Sequence, residues 1–287
     1  MEGALHQGLL SPPVLALLGL CIGSFLNVVI HRLPLMLERG WKIDSAEMLG
    51  LDPAKTAALA APITLSRPRS RCPSCGHTIA WHENIPLLSY LKLGGKCSAC
   101  KTRISPRYPL VELLTALLFA AIAWRFGPEP VTLLWCGLAA VLVALAGIDW
   151  DTTLLPDNLT LPLLWAGLVA SALGWTIPLP QALWGAVAGY LSLWSVYWMF
   201  KLATGKEGMG HGDFKLLAAL GAWLGWQMIL PVVLGASVLG AMVGLAMKSS
   251  GALREGRYVP FGPFLAGTAI VVLLAGSTRV LGWLGWA

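Results

Sequence analysis

The sequence predicts an all-α polytopic membrane protein, with about eight transmembrane helices interrupted by one small polar insert. Three observations carry that expectation. Hydrophobic residues make up 56% of the 287 residues and charged residues only 12%, about half of the roughly 25% charge usual in soluble domains. Mean hydropathy is +0.70. The charge is also segregated, since 12 of the 20 Lys and Arg fall between Arg32 and Arg107, together with only five acids, Glu38, Asp44, Glu47, Asp52 and Glu83. These figures exclude a disordered chain, a secreted disulfide scaffold and an ordinary cytosolic enzyme.

Apolar runs separated by charged or turn-forming breaks give eight candidate spans, each near the length needed to cross a bilayer. They cover Pro13–Ile30, Leu110–Phe126, Val131–Ile148, Leu159–Trp175, Ala182–Phe200, Phe214–Leu230, Val232–Met247 and Phe261–Leu281. Pro231 alone divides the sixth from the seventh. The organisation is a first transmembrane helix in 1–31, a polar loop in 32–108 and a seven-helix membrane core in 109–287. The N-terminus lacks a basic leading region and a small-residue cleavage site, so the first span reads as retained rather than as a signal peptide.

Orientation follows from the basic residues. The loops after spans one, three, five and seven hold 17 Lys and Arg, among them Lys201, Lys206, Lys248, Arg254 and Arg257; the opposite side holds Arg125 and Arg279. Because positive loops stay inside, the insert is expected in the cytoplasm and both termini on the other side. Trp124, Trp150, Trp175, Trp283 and Trp286 fall at span ends, where interfacial anchoring explains them. Gly185, Gly189, Gly235 and Gly240 are positions of close helix contact, within the bundle or with another helix.

The insert carries Cys72-Pro-Ser-Cys75 and Cys97-Ser-Ala-Cys100. Two residues between ligands let one tight turn aim both thiolates at a single ion, and the intervening segment returns the second pair; this is the spacing of a structural zinc site. Gly76 suits the turn after the first pair. Disulfides are disfavoured in a reducing compartment. His77 and His82 lie between the pairs, but four thiolates already complete a tetrahedron. Cys21 and Cys136, inside spans, read as small core residues. The basic residues around the cluster are attributed to orientation and to anionic membrane lipids, and no nucleic-acid partner is expected.

The few remaining acids concentrate at the side assigned to the cytoplasm. Asp149 closes the third span in Gly147-Ile148-Asp149-Trp150-Asp151, and Asp213 opens the sixth in Gly208-Met209-Gly210-His211-Gly212-Asp213. An ionisable group at a bilayer edge is a functional candidate, and alternating glycines strip bulk from around Asp213. Asp157 reads instead as a helix cap, Asp151 as a solvated loop charge, and Glu112 as the partner of Arg107 or a neighbouring cation. Two converging carboxyls, one ionised and one protonated, can run peptide hydrolysis. Helix dipoles would favour the anion on Asp213, at an N-terminus, over Asp149, at a C-terminus, making Asp213 the base and Asp149 the acid.

Four segments together resemble the bacterial type IV prepilin peptidases, membrane aspartyl proteases of the Gly-x-Gly-Asp type. These are Gly23-Ser-Phe-Leu-Asn27-Val-Val-Ile-His31-Arg32-Leu-Pro34, the paired cysteines, Ile148-Asp149 with Leu155-Pro156-Asp157, and Gly210-His-Gly-Asp213-Phe-Lys-Leu216. The resemblance implies an inner-membrane enzyme that cleaves the leader of type IV prepilins and type II secretion pseudopilins at the cytoplasmic face. It further implies methylation of the new N-terminus from S-adenosylmethionine, Asp149 and Asp213 as the catalytic pair, and zinc on the four cysteines. The residues themselves reveal no methyl-donor site, because no Gly-x-Gly-x-x-Gly follows a strand pattern. The rival from another class is an ion-coupled transporter with an aspartate pair, whose acids should lie near the bilayer midplane rather than at one edge. A zinc-bearing membrane scaffold would leave Asp213 unexplained.

Overall fold

A computed structural model describes residues 8–50, 63–251 and 259–286. Asp52, Lys55, Arg254 and Arg257, which entered the charge count, lie outside the described residues. Outside the insert the described chain is almost wholly helical, and within it the β pairing among described residues consists of two isolated bridges, Arg71 with Thr78 and Lys96 with Arg103. The chain forms two compact units, Met1–Thr132 and Leu133–Ala287.

The first unit contains α1 (Pro12–Met48), the short α2 (Leu88–Lys92) and α3 (Arg107–Phe126). Helix α1 opens with prolines in its first turn, where their missing N–H costs nothing. It runs well past Ile30, where the apolar stretch ends. The reason is that a change from apolar to charged residues terminates a membrane span but not a helix; residues 31–48 are rich in Leu, Met, Glu, Arg and Lys, all good helix formers. Helices α1 and α3 pack antiparallel with backbones in contact. A Cβ on Gly19 would lie 2.7 Å from Ala116 Cα, and one on Gly23 would lie 2.7 Å from Glu112 Cα. One turn further along, the buried Asn27 amide donates to Gly23 O at 3.2 Å and across to Tyr108 O at 3.1 Å. Arg32 holds the start of the insert, donating to the carbonyls of Thr64, Leu65 and Pro68.

The second unit contains α4 (Val131–Thr152), α5 (Asp157–Ala172), α6 (Leu179–Thr204), α7 (His211–Leu224), α8 (Ile229–Ser249), α9 (Gly262–Ala275) and α10 (Ser277–Trp283). Helix α7 is buried on nearly every side, with α5, α6 and α9 against it. Glycine makes that approach possible: Gly185 of α6 stands against the Gly221 carbonyl, and a Cβ on Gly189 would sit 2.5 Å from Leu217 O. Gly235 faces Thr268 and Gly240 faces Phe264, so all four glycines serve packing inside the bundle. On the far end, Trp223 donates its indole N–H to Leu163 O at 2.9 Å and stacks edge-on to Trp135 at 5.4 Å.

The eight expected spans all fall on helix, the sixth and eighth broken at Gly225 and Gly276, but the count of eight is not reached by length and composition. Among the described residues four helices, α1, α3, α4 and the Trp226–Ser249 stretch that includes α8, are long and apolar enough to cross a membrane. The pair α9 and α10 makes a fifth if its 104° bend, at Gly276, lies within one span. Helices α5, α7 and α9 have 16, 14 and 14 residues, short of the roughly 20 a perpendicular crossing needs. Helix α6 has 26 residues, but its Trp and Tyr content lowers its hydropathy. The break between the sixth and seventh spans lies at Gly225, φ +87°, rather than at Pro231, which sits in the first turn of α8. Cys136 is buried as expected, whereas Cys21 is exposed on the outer face of α1 and is not a core residue. Trp124, Trp150, Trp175, Trp283 and Trp286 are all exposed near helix ends.

Candidate active site and metal centre

Asp149 lies in the last turn of α4 and Asp213 is the third residue of α7; both are buried. The chain leaves α4 through Thr153, whose positive φ of 54° and N–H to Asp149 O close the helix. It then places the buried Leu155 between the two acids' supports. A Cβ on Gly212 would stand 2.8 Å from Leu155 Cβ, and one on Gly262 would stand 3.2 Å from Leu155 Cδ2 and 2.6 Å from Asp149 Oδ2. Gly262 begins α9, so its N–H has no partner within that helix; it donates to Asp149 Oδ2 at 2.9 Å. The two carboxyls lie within electrostatic reach of one another. Asp213 Oδ1 is buried with no hydrogen-bond partner. Asp149 thus has a backbone donor in Gly262, and the Asp213 carboxyl has one in Gly210, with its Oδ1 left over.

Two of the three alternating glycines are explained by contact. Gly212 admits Leu155, and a Cβ on Gly208 would meet the Phe200 ring at 2.9 Å. The loop they form is fastened to α6 by side chains that sequence reading did not single out. The Lys201 ammonium donates to Glu207 Oε1 at 2.8 Å and to Tyr197 Oη at 3.1 Å, and Tyr197 donates to Glu207 Oε1 at 3.2 Å. The Lys201 hydrogen bond holds the Glu207 carboxyl below its ordinary range. The buried Tyr197 ring also packs on His211 at 5.0 Å and on Phe214 at 5.7 Å, flanking Asp213 on both sides in the sequence.

Asp157 is not a cap. Pro156 holds the N-cap position, and the Asp157 carboxylate takes both 2.7 and 2.8 Å hydrogen bonds from Lys215 Nζ, two residues beyond Asp213. Asp151 is exposed and lies within the last turn of α4 rather than in a loop. Glu112 is buried and accepts the Leu87 N–H at 2.8 Å. Gly262 was also missed, although Phe261-Gly262-Pro263 is a readable helix start: proline in the first turn advertises the free N–H groups beside it.

The four cysteines converge in the first unit, their Sγ atoms all within 4.8 Å of one another. The two halves are built alike. Cys72 N–H bonds to His77 O and Gly76 N–H to Cys72 O; Cys97 N–H bonds to Thr102 O and Lys101 N–H to Cys97 O. The residue after each pair turns left-handed, Gly76 at φ +71° and Lys101 at φ +60°. Cys72 and Cys100 Sγ lie 3.7 Å apart, the edge expected of a sulfur tetrahedron around an ion with bonds of about 2.3 Å. Hydrogen bonds from the Thr102 hydroxyl and then its backbone lower the Cys100 thiol to about 6, favouring the ligating thiolate. His77 is not part of the thiol cluster; its Nε2 lies 3.2 Å from Glu83 Oε2 and 3.3 Å from Ser98 Oγ. The donor set and spacing fit a tetrahedral metal site.

The fold and these sites define a membrane helix bundle with a buried carboxyl pair and a separate tetrathiolate centre. The description of the bacterial peptidase A24 N-terminal domain matches residues 17–126, and that of the type IV leader peptidase family matches residues 136–245. Among similar proteins, the prepilin leader peptidase/N-methyltransferase of Pseudomonas aeruginosa is 54% identical over 265 residues, covering 91% of this chain and 89% of the relative. Proteins of the same name from Aeromonas hydrophila and Burkholderia pseudomallei are 53% and 50% identical, each over 91% of this chain and over 90% and 84% of their own length. No solved structure matches. The chain belongs to the type IV leader peptidase family. The transporter reading has no support from these relatives.

Proposed function

We propose that this protein is a membrane aspartyl endopeptidase in which Asp149 and Asp213 are the catalytic pair. The observation that carries the reading is the buried, unpartnered Asp213 Oδ1 near an Asp149 carboxyl that Gly262 N–H fixes across Leu155. Two carboxyls so placed share one proton, because like charges in close proximity resist joint ionisation. The ionised member takes a proton from water, whose oxygen attacks the scissile carbonyl carbon. The protonated member hydrogen-bonds the carbonyl oxygen, and collapse of the tetrahedral intermediate breaks the C–N bond with proton transfer to the departing amine. The Tyr197–Lys201–Glu207 group and the close contacts of Gly208 with Phe200 and of Gly212 with Leu155 keep the Asp213 loop in register.

The relatives' shared name supports type IV prepilins as substrates, and the resemblance extends this to type II secretion pseudopilins. The charge asymmetry supports a bacterial inner-membrane location with the insert cytoplasmic and both termini periplasmic. Cys72, Cys75, Cys97 and Cys100 would hold zinc, which would supply a fold-stabilising cross-link to the insert and no chemistry at the aspartates. S-adenosylmethionine would supply the methyl group for the new N-terminal amine, a step supported by the relatives' name alone. Among the described residues there is no strand-turn-helix of the nucleotide-binding kind, and no residue is assigned to that step.

The test is prepilin cleavage by purified protein, comparing wild type with Asp149→Asn and Asp213→Asn. Each variant should lose roughly 100-fold or more of the rate, the scale of a removed acid or base. Full cleavage by either variant would overturn the assignment.

A further inference from the structure

Within the polar insert, Asn84 to Leu91 carry no charged residue. Leu88 and Leu91 in it are 65% and 73% exposed, as is the nearby Trp81 at 77%. In a water-facing loop such a cluster is a liability. Its depth is fixed by the first unit's own contacts. Leu87 N–H donates to Glu112 Oε2, and Glu112 Cα lies against Gly23 of α1. Gly23 stands eight residues before His31, where the apolar part of α1 gives way to charge, or about 12 Å along the helix. Half of the hydrocarbon layer is about 15 Å thick. Even after the reach of the Glu112 side chain, about 5 Å, and its 2.8 Å hydrogen bond, the Leu87 backbone lies below the level at which α1 becomes polar.

We propose that residues 84–93 form a re-entrant element of the insert that dips into the bilayer, with Leu88 and Leu91 facing lipid acyl chains. The same unit already presents a lipid-suited surface, since Leu110, Leu113, Leu114 and Leu117 are exposed on the face of α3 opposite the buried Glu112. The segment also meets the rule that backbone polar groups at membrane depth need internal partners. Ser89 N–H and hydroxyl both bond to Ile85 O, Leu91 N–H bonds to Leu87 O, and Leu93 N–H bonds to Ser89 O. Leu87 has φ +57°, and its N–H, left over by the turn, is the one that Glu112 receives. Lys92 and Lys96 follow directly, long enough to return their ammonium groups to the headgroups. Glu112 is then a tether that fastens the insert to the bilayer rather than a loop ion pair.

The experiment uses the full-length wild-type chain in phosphatidylethanolamine–phosphatidylglycerol vesicles containing a trace of phospholipid with a diazirine in its acyl chain. After irradiation, adducts are mapped by mass spectrometry. Residues 84–93 should be labelled at a level comparable to 110–117, with none on 97–103. A Leu88→Asp/Leu91→Asp variant, checked for retained metal, should reduce labelling of 84–93 by about tenfold while 110–117 is unchanged. Labelling of 110–117 without 84–93 would overturn the proposal, as would protein–protein adducts in place of lipid ones at 84–93. Absence of label from both would overturn it too, because the depth argument rests on α3 facing lipid.

Discussion

The metal centre and the carboxyl pair are assembled by opposite means. Each half of the thiol cluster is made within seven residues of chain, by a turn that bonds Cys72 to His77 or Cys97 to Thr102. The carboxyl pair draws on α4, α7 and α9, and the donor to Asp149 comes from a residue 113 positions away. Locally encoded sites tolerate change in the surrounding bundle, whereas a site assembled from three helix ends depends on every backbone approach that brings them together.

The largest effect that would sharpen this contrast comes from the metal side. Replacing Cys97 with Ser should take metal content from about one equivalent to near zero, since a tetrathiolate site loses its closed shell; metal analysis after dialysis checks it, and full retention would break the comparison. Next, Gly262→Ala places a methyl 2.6 Å from Asp149 Oδ2. It should lower the cleavage rate by roughly 10- to 100-fold, as a misplacement of about 1 Å can, with metal content unchanged. Loss of metal in that variant would show the two regions to be linked.

Smaller effects probe the local geometry. Lys101→Gly relieves a left-handed residue at the cost of its side-chain hydrogen bond to Ser98 O. It should raise resistance of the insert to chelator-induced unfolding by about 0.5 kcal/mol. The smallest is electrostatic. Hydrogen bonds from the Ser98 hydroxyl, from Ala80 N–H and from His77 pull Glu83 from its ordinary 4.5 to about 2. A carboxyl lowered on folding stabilises above its unfolded value and loses that contribution as pH falls from about 4.5 through about 2. Glu83→Gln should flatten that limb of an acid-unfolding curve followed at fixed metal loading.

The legibility of each feature follows its range. Apolar runs announced where the membrane helices lie, though not their breaks at Gly225 and Gly276, because burial in lipid writes itself into composition, and Cys-x-x-Cys announced the thiol turns because ligand reach is a matter of two intervening residues. Asp149 and Asp213 could be picked out because acids are scarce in an apolar chain. Their surroundings could not. That Asp157 binds Lys215 instead of capping α5, that Gly225 rather than Pro231 breaks the chain, and that Gly262 is the donor to Asp149 are facts of helix packing.

By itself, then, the sequence determined the helical membrane class and the thiol cluster and singled out two acids as candidates, since each rests on residue chemistry or short spacing. Only the tertiary structure decided which backbone N–H meets Asp149 and which carboxyl oxygen is left without a donor. Those depend on how closely helices approach, and at Gly19, Gly23, Gly185 and Gly189 the approach is set by atoms that are absent.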